Sequence, residues 1–168
     1  GVRFGLHSAN FIHKVLGTAS METFTQTFRD LSKNTLPKWT ETMPKSTNID
    51  MYFEQKVSDK KVVYFPSCIT RSMGLNSISK EEKQLFTVTV ELLQKAGYQI
   101  LFPHNLSDLC CGMPFSSKGF KEAAQTKSSQ LEEELLNISE FGEYPILSDT
   151  STNNKKMMES FSHDLNIY

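Results

Sequence analysis

The run Val62-Val63-Tyr64-Phe65 constrains the fold most. Four consecutive apolar residues, too few for a core helix, read as a strand buried on both faces, the habit of a parallel sheet. Parallel strands need a long crossover between them, and the next residues have that form. Leu85, Phe86, Val88, Leu92, Leu93 and Ala96 recur at helical spacing behind a capping box at Ser79-Lys80-Glu81-Glu82, with Gly97 as C-cap. Tyr98–Phe102 reads as a second strand stopped by Pro103. Phe120, Ala123, Ala124, Leu131, Leu135 and Ile138 place a long helix over about 117–139. Tyr144–Leu147 reads as a third strand, and a last helix covers about 154–161. The expected class is α/β: a short parallel sheet with right-handed strand–helix–strand crossovers.

A helical N-terminal segment precedes this rhythm. Phe4, Leu6, Phe11, Ile12, Val15 and Leu16, then Met21, Phe24, Phe28 and Leu31, give two helical stretches interrupted near Gly17, with Ser20 as the expected N-cap of the second. Their apolar faces suit a core or a docking surface. Pro37, Pro44 and Ser46-Thr47-Asn48 mark a connector, with Trp39 and Met43 as its anchors. The organisation read from this is a helical lead-in and connector at 1–45 and an α/β domain at 46–168. The start at Gly1 without methionine, and the apolar run opening at Tyr168, suggest a piece of a longer protein.

The net charge of -1 offers no footprint for nucleic acid or for an anionic membrane surface. No run approaches the roughly 18 apolar residues of a membrane span. Three cysteines, two of them adjacent, are not a secreted disulfide framework, so a reducing, cytoplasmic setting is expected.

Those cysteines are the candidate chemistry. Ligands of parallel sheets gather beyond the carboxyl ends of the strands. Cys68 follows the first strand, Cys110-Cys111 the second, and Ser148-Asp149-Thr150-Ser151 the third. Adjacent cysteines before Gly112 suggest a tight turn aiming both sulfurs at one point. Thiolates bind iron or zinc, and the start of the long helix near Ser116-Ser117, with Arg71 and Lys118, is expected to favour negative charge there. His104 is the first candidate for a fourth ligand; His163, His7 and His13 are weaker. Asp149 reads as a loop or capping carboxylate before it reads as a ligand. Unligated thiols, and a redox pair formed by Cys110 and Cys111, are the other readings. Nothing matches a catalytic triad or a dinucleotide fingerprint.

Phe65-Pro66-Ser67-Cys68, Gly97-Tyr98, Leu109-Cys110-Cys111-Gly112 and an apolar strand ending in Asp149 resemble one cysteine-rich CCG domain. Such domains occur in the iron–sulfur subunits of glycolate oxidase, anaerobic glycerol-3-phosphate dehydrogenase and heterodisulfide reductase. Cys110 to Phe120 (Cys-Cys-Gly-Met-Pro-Phe-Ser-Ser-Lys-Gly-Phe), with Pro37-Lys38-Trp39 and Met43-Pro44 upstream, is most similar to the C-terminal part of flavin- and iron–sulfur-containing D-lactate dehydrogenases. The resemblance implies an electron-transfer module passing electrons from FAD toward a quinone or cytochrome. Cys68, Cys110 and Cys111 would be its metal ligands, with Gly112 shaping the turn. The cofactor would be an iron–sulfur cluster, with zinc or an empty site as alternatives. FAD and ferredoxin-like domains of the same polypeptide would be the partners, outside this chain. Location would be cytoplasmic or peripheral at the inner face of the cell membrane. The family pattern places a further cysteine where this chain has Asn153.

Overall fold

A computed structural model describes residues 2–35, 38–47, 49, 57–76, 78, 80, 83–163 and 165–168, with the side chains of 2, 3, 152 and 153 set aside. The capping box at 79–82 lies largely outside the described residues. The chain divides into two units: Gly1–Ile49 with Arg71–Gln84, and Asp50–Thr70 with Leu85–Tyr168.

The first unit is built on helices α1 (Val2–Leu16) and α2 (Thr18–Leu31), packed on each other. Gly17 between them has φ 78, a conformation that suits glycine and lets α2 start at Thr18. Ser20 is therefore inside the helix and is not its cap. Trp39 is buried, as expected of an anchor: its ring lies 4.4 Å from that of His13, and its amide donates to Thr25 Oγ1 at 3.2 Å. Residues 45–47 run against 72–75, joined by an antiparallel bridge between Ser46 and Met73.

The second unit holds the sheet: β1 (Lys61–Phe65), β2 (Gln99–Leu101) and β3 (Ile146–Ser148), all parallel, in the order β2-β1-β3. Val63, Tyr64 and Phe65 are fully buried, as a central parallel strand requires. Tyr144 and Pro145 fall outside β3, yet the Pro145 carbonyl still accepts from Val63 N at 2.9 Å. Beyond β3, Ser148 N donates to Tyr168 O and Tyr168 N to Ile146 O, so residues 166–168 add a parallel edge that periodicity did not reveal.

Short helix α3 (Cys68–Ser72) follows β1, and α4 (Leu85–Lys95) leads to β2. The buried residues of α4 are Phe86 and Val90; Leu85, Val88, Leu92 and Ala96, expected on the core face, are exposed. Phe86 meets Tyr64 and Phe102, ring centroids 5.8 Å apart. Gly97, at φ 84, caps α4: its amide bonds Gln94 O and that of Tyr98 bonds Leu93 O, a Schellman closure. After β2 come α5 (Met113–Ser116) and α6 (Lys121–Ile138), and after β3 comes α7 (Ser151–Ser160). The long helix starts at Lys121 because Gly119, at φ 84, separates it from α5. Its buried face is Ala124, Ser128, Leu131, Glu132 and Leu135, whereas Phe120 and Ala123 are exposed and Ile138 is half-buried. Among the described residues no helix is long and apolar enough to cross a membrane.

Candidate functional site

With β1 central, the chain leaves it on one side to form β2 and returns on the other to form β3. The crossover direction reverses between β1 and β3, and loops on the two sides of such a point splay apart. The loop after β1 carries Ser67 and Cys68, and that after β3 carries Asp149 and Thr150. The second unit alone contains every cysteine.

Asp149 fastens these loops together. Its Oδ1 accepts from Ser67 N at 2.9 Å and from Thr150 Oγ1 at 3.2 Å, and its Oδ2 accepts from Tyr64 Oη at 3.0 Å. Burial and the neighbouring carboxylate push the Tyr64 phenol up, keeping it the donor. Ser67 continues the chain of contacts. Its hydroxyl accepts from Thr70 N at 3.2 Å and lies 3.1 Å from Thr70 Oγ1. That is an N-cap on α3, which begins at Cys68. Reading by periodicity missed this role, although Ser67-Cys68-Ile69-Thr70 carries an N-cap residue three places before the amide it binds. Asp149 thus acts as a loop carboxylate whose oxygens are engaged by the protein.

The three thiols interact with one another. Cys68 Sγ lies 3.9 Å from Cys110 Sγ as its donor. Cys110 in turn hydrogen-bonds Cys111. Cys111 is 1% exposed, whereas Cys68 and Cys110 are half-buried, and all three are free of disulfide. The bond from Cys110 is the largest influence on Cys111 and, with the Met113 amide, brings its thiol down to about 7, against burial and the charge of Cys68. The lowered value favours the thiolate of Cys111.

Gly112 sets this geometry. It adopts φ 80, and a Cβ there would collide with the Ala124 carbonyl oxygen of α6. The turn lets α6 pack close behind the cysteines and places Met113 N where it can reach Cys111. The expected N-terminus of the long helix is replaced by the backbone amides of Cys111 and Met113, the latter the first residue of α5, because the N-terminus of α6 comes later, at Lys121. Lys118 is exposed in the turn before α6, and Arg71 is buried in α3.

The other candidates stand elsewhere. His104 is exposed, and its amide donates to Glu134 Oε1 at 2.6 Å. His163 Nδ1 lies 2.9 Å from Glu132 Oε1. The His13 ring lies tilted against that of Trp39 and bonds Thr18 Oγ1 at 3.0 Å, and His7 is exposed on α1. Asn153 lies in α7, with its side chain outside the described residues.

The donor chemistry suits a thiophilic metal: three sulfurs in sequence, one of them poised to ionise, beside a backbone amide. Among the described residues no group of three or more His, Cys, Asp or Glu side chains is arranged to hold a metal ion.

A family model described as CCG, cysteine-rich domain, matches residues 62–152. The match begins on β1 and runs through both cysteine loops into α7. No curated protein matches the chain. No solved structure matches it either.

Proposed function

Because the chain belongs to the cysteine-rich CCG family, a module typical of iron–sulfur and oxidoreductase proteins, we propose that Cys68, Cys110 and Cys111 hold an iron–sulfur centre. The centre serves electron transfer in a flavin-dependent dehydrogenase of D-lactate or a related 2-hydroxy acid. The observation that carries this reading is the mutual contact of the thiols, with Cys68 3.9 Å from Cys110 and Cys110 hydrogen-bonded to Cys111.

An iron–sulfur cluster, when bound, supplies one-electron chemistry whose potential follows hydrogen bonding and solvent exposure. The chain's own residues provide the thiolates, the Met113 amide toward Cys111, and the Asp149 clamp that fixes the Cys68 loop. The remaining ligand is a group other than these three cysteines. FAD and ferredoxin-like domains of one polypeptide deliver the electrons, and a quinone or cytochrome takes them up, in a cytoplasmic or membrane-peripheral setting.

A second reading draws on the sulfur spacing. A tetrahedral zinc site with Zn–S bonds of about 2.3 Å has sulfurs ~3.8 Å apart, close to the separation of Cys68 and Cys110. Zinc in this position makes the module structural or an interaction domain.

Anaerobic purification of the full-length protein, with iron, sulfide and zinc assays, distinguishes the readings. Iron with sulfide, lost in Cys68→Ser, is the expected result. Stoichiometric zinc without sulfide selects the second reading. A metal-free protein with three freely alkylated thiols overturns both.

A further inference from the structure

Helix α1 presents an unusual surface. Phe4 is 77% exposed, Phe11 65% and Val15 68%. They stand at i, i+7 and i+11, one stripe on one face of the helix. The opposite side, with Leu6, Ala9 and His13, is half-buried, and His13 bonds Thr18 of α2. The outward stripe is therefore left over after α1 has packed.

Charge says what suits it. His7 and Lys14 each follow a stripe phenylalanine by three residues, along one flank. Helix α1 contains no acidic residue. An open groove beside the stripe is lined by His7, Asn10, Phe11, His13, Lys14 and Lys45, again without a carboxylate. The whole-chain charge of -1 hides this segregation. Helix α2 also exposes Phe24, Phe28 and Leu31, but it carries Glu22 and Asp30 and so lacks a cationic excess.

We propose that α1 is an interfacial helix that lies on an anionic phospholipid bilayer, its Phe4–Phe11–Val15 stripe among the acyl chains and Lys14 and Lys45 against headgroup phosphates. An apolar face flanked by cations is the pattern of helices that rest in the interface plane. A neutral protein surface matches the stripe but leaves the cationic groove without a counterpart. This inference is independent of what the cysteines bind.

The test is flotation of the 168-residue chain with phosphatidylglycerol–phosphatidylcholine vesicles, with pure phosphatidylcholine vesicles as the comparison. Binding is expected on the anionic vesicles and is weakened by salt. Lys14→Glu lowers the partition coefficient roughly tenfold. Phe11→Ser lowers it by roughly tenfold or more, with unchanged far-UV circular dichroism. Phe24→Ser on α2 leaves it unchanged. Absence of binding overturns the proposal, as does equal binding to both vesicle types or loss in Phe24→Ser with retention in Phe11→Ser. Self-association that disappears in Phe11→Ser, with no vesicle binding, assigns the stripe to a second copy and overturns it as well.

Discussion

Asp149 Oδ1 accepts the amide hydrogen of Ser67 at 2.9 Å, across 82 residues of sequence. The bond joins the ends of β1 and β3, where the sheet changes crossover direction, and Cys68 is the next residue along. Asp149→Ala leaves the buried Ser67 amide and the Tyr64 hydroxyl without their acceptor. A buried donor deprived of its partner costs about 1–3 kcal/mol, so the expected loss in urea unfolding is about 2–4 kcal/mol. Asp149→Asn keeps an acceptor oxygen and should lose about half as much. Equal stability of Asp149→Ala and wild type would show that the clamp contributes nothing.

Gly112 meets two demands at once, a left-handed backbone and close approach to α6. Gly112→Ala adds strain in φ and a methyl group driven against backbone, which has little freedom to retreat. A destabilisation of about 3 kcal/mol or more is expected, with faster alkylation of Cys111 as the turn opens. A crystal structure of the variant with an undisturbed turn, at wild-type stability, would contradict this.

Cys111 titrates near about 7 in the folded chain because Cys110 and the Met113 amide donate to it. In the unfolded chain its pKa is about 8.5. The folded value is the lower one, so the unfolded state binds the extra proton between these limits. In metal-free protein, stability therefore rises from about pH 7 to about 8.5 and is lost as pH falls through 7. The contribution is of order 1–2 kcal/mol. Cys110→Ala removes the leading donor and should raise the midpoint of thiolate absorbance, while Cys110→Ser keeps a hydroxyl donor and should largely restore it. A Cys111 midpoint unmoved by Cys110→Ala would remove the Cys110 hydrogen bond as its cause.

The convergence of the three cysteines was legible because it depends on topology alone: strands at 62–65 and 98–102 point their following loops to one edge wherever the helices settle. The buried face of α4 was not legible. Leu92 and Val88 have the right spacing and the right chemistry, yet α4 buries Phe86 and Val90 instead, and Phe86 shares the cover of Tyr64 with Phe102. The start of α6 was misplaced because Ser116-Ser117 has cap chemistry, while the deciding residue is Gly119, whose left-handed φ closes α5 locally, with Gly119 N bonding Ser116 O and Phe120 N bonding Phe115 O. The Asp149–Ser67 bond lay beyond periodicity altogether, since it pairs a side chain with an amide far away in sequence. Glu132, a buried charge on α6, was equally hidden, because its partners lie 30 residues on.

Glu132 holds the chain after α7 in place. One carboxylate oxygen accepts from Ser162 N at 2.6 Å, Ser162 Oγ at 2.8 Å, His163 N at 2.9 Å and meets His163 Nδ1 at 2.9 Å. Burial pushes the carboxyl up, but bonds from the His163 ring, the Ser162 hydroxyl and the two amides outweigh it and hold the carboxyl below its ordinary value. A lowered carboxyl contributes stability that is complete above its unfolded pKa, about 4.3, and is lost as pH falls through the lower folded value. Wild type should therefore lose this increment only below about pH 4. Glu132→Gln removes the charge at every pH, costs about 1–3 kcal/mol at neutrality, and should flatten the acid limb of the stability curve. The Tyr168 amide, which donates to Ile146 O, and the Ile146 and Ser148 amides, which donate to Asn166 O and Tyr168 O, should exchange hydrogen faster in the variant than those of β1. Unchanged exchange at these amides in Glu132→Gln would mean that the edge pairing stands without the clamp.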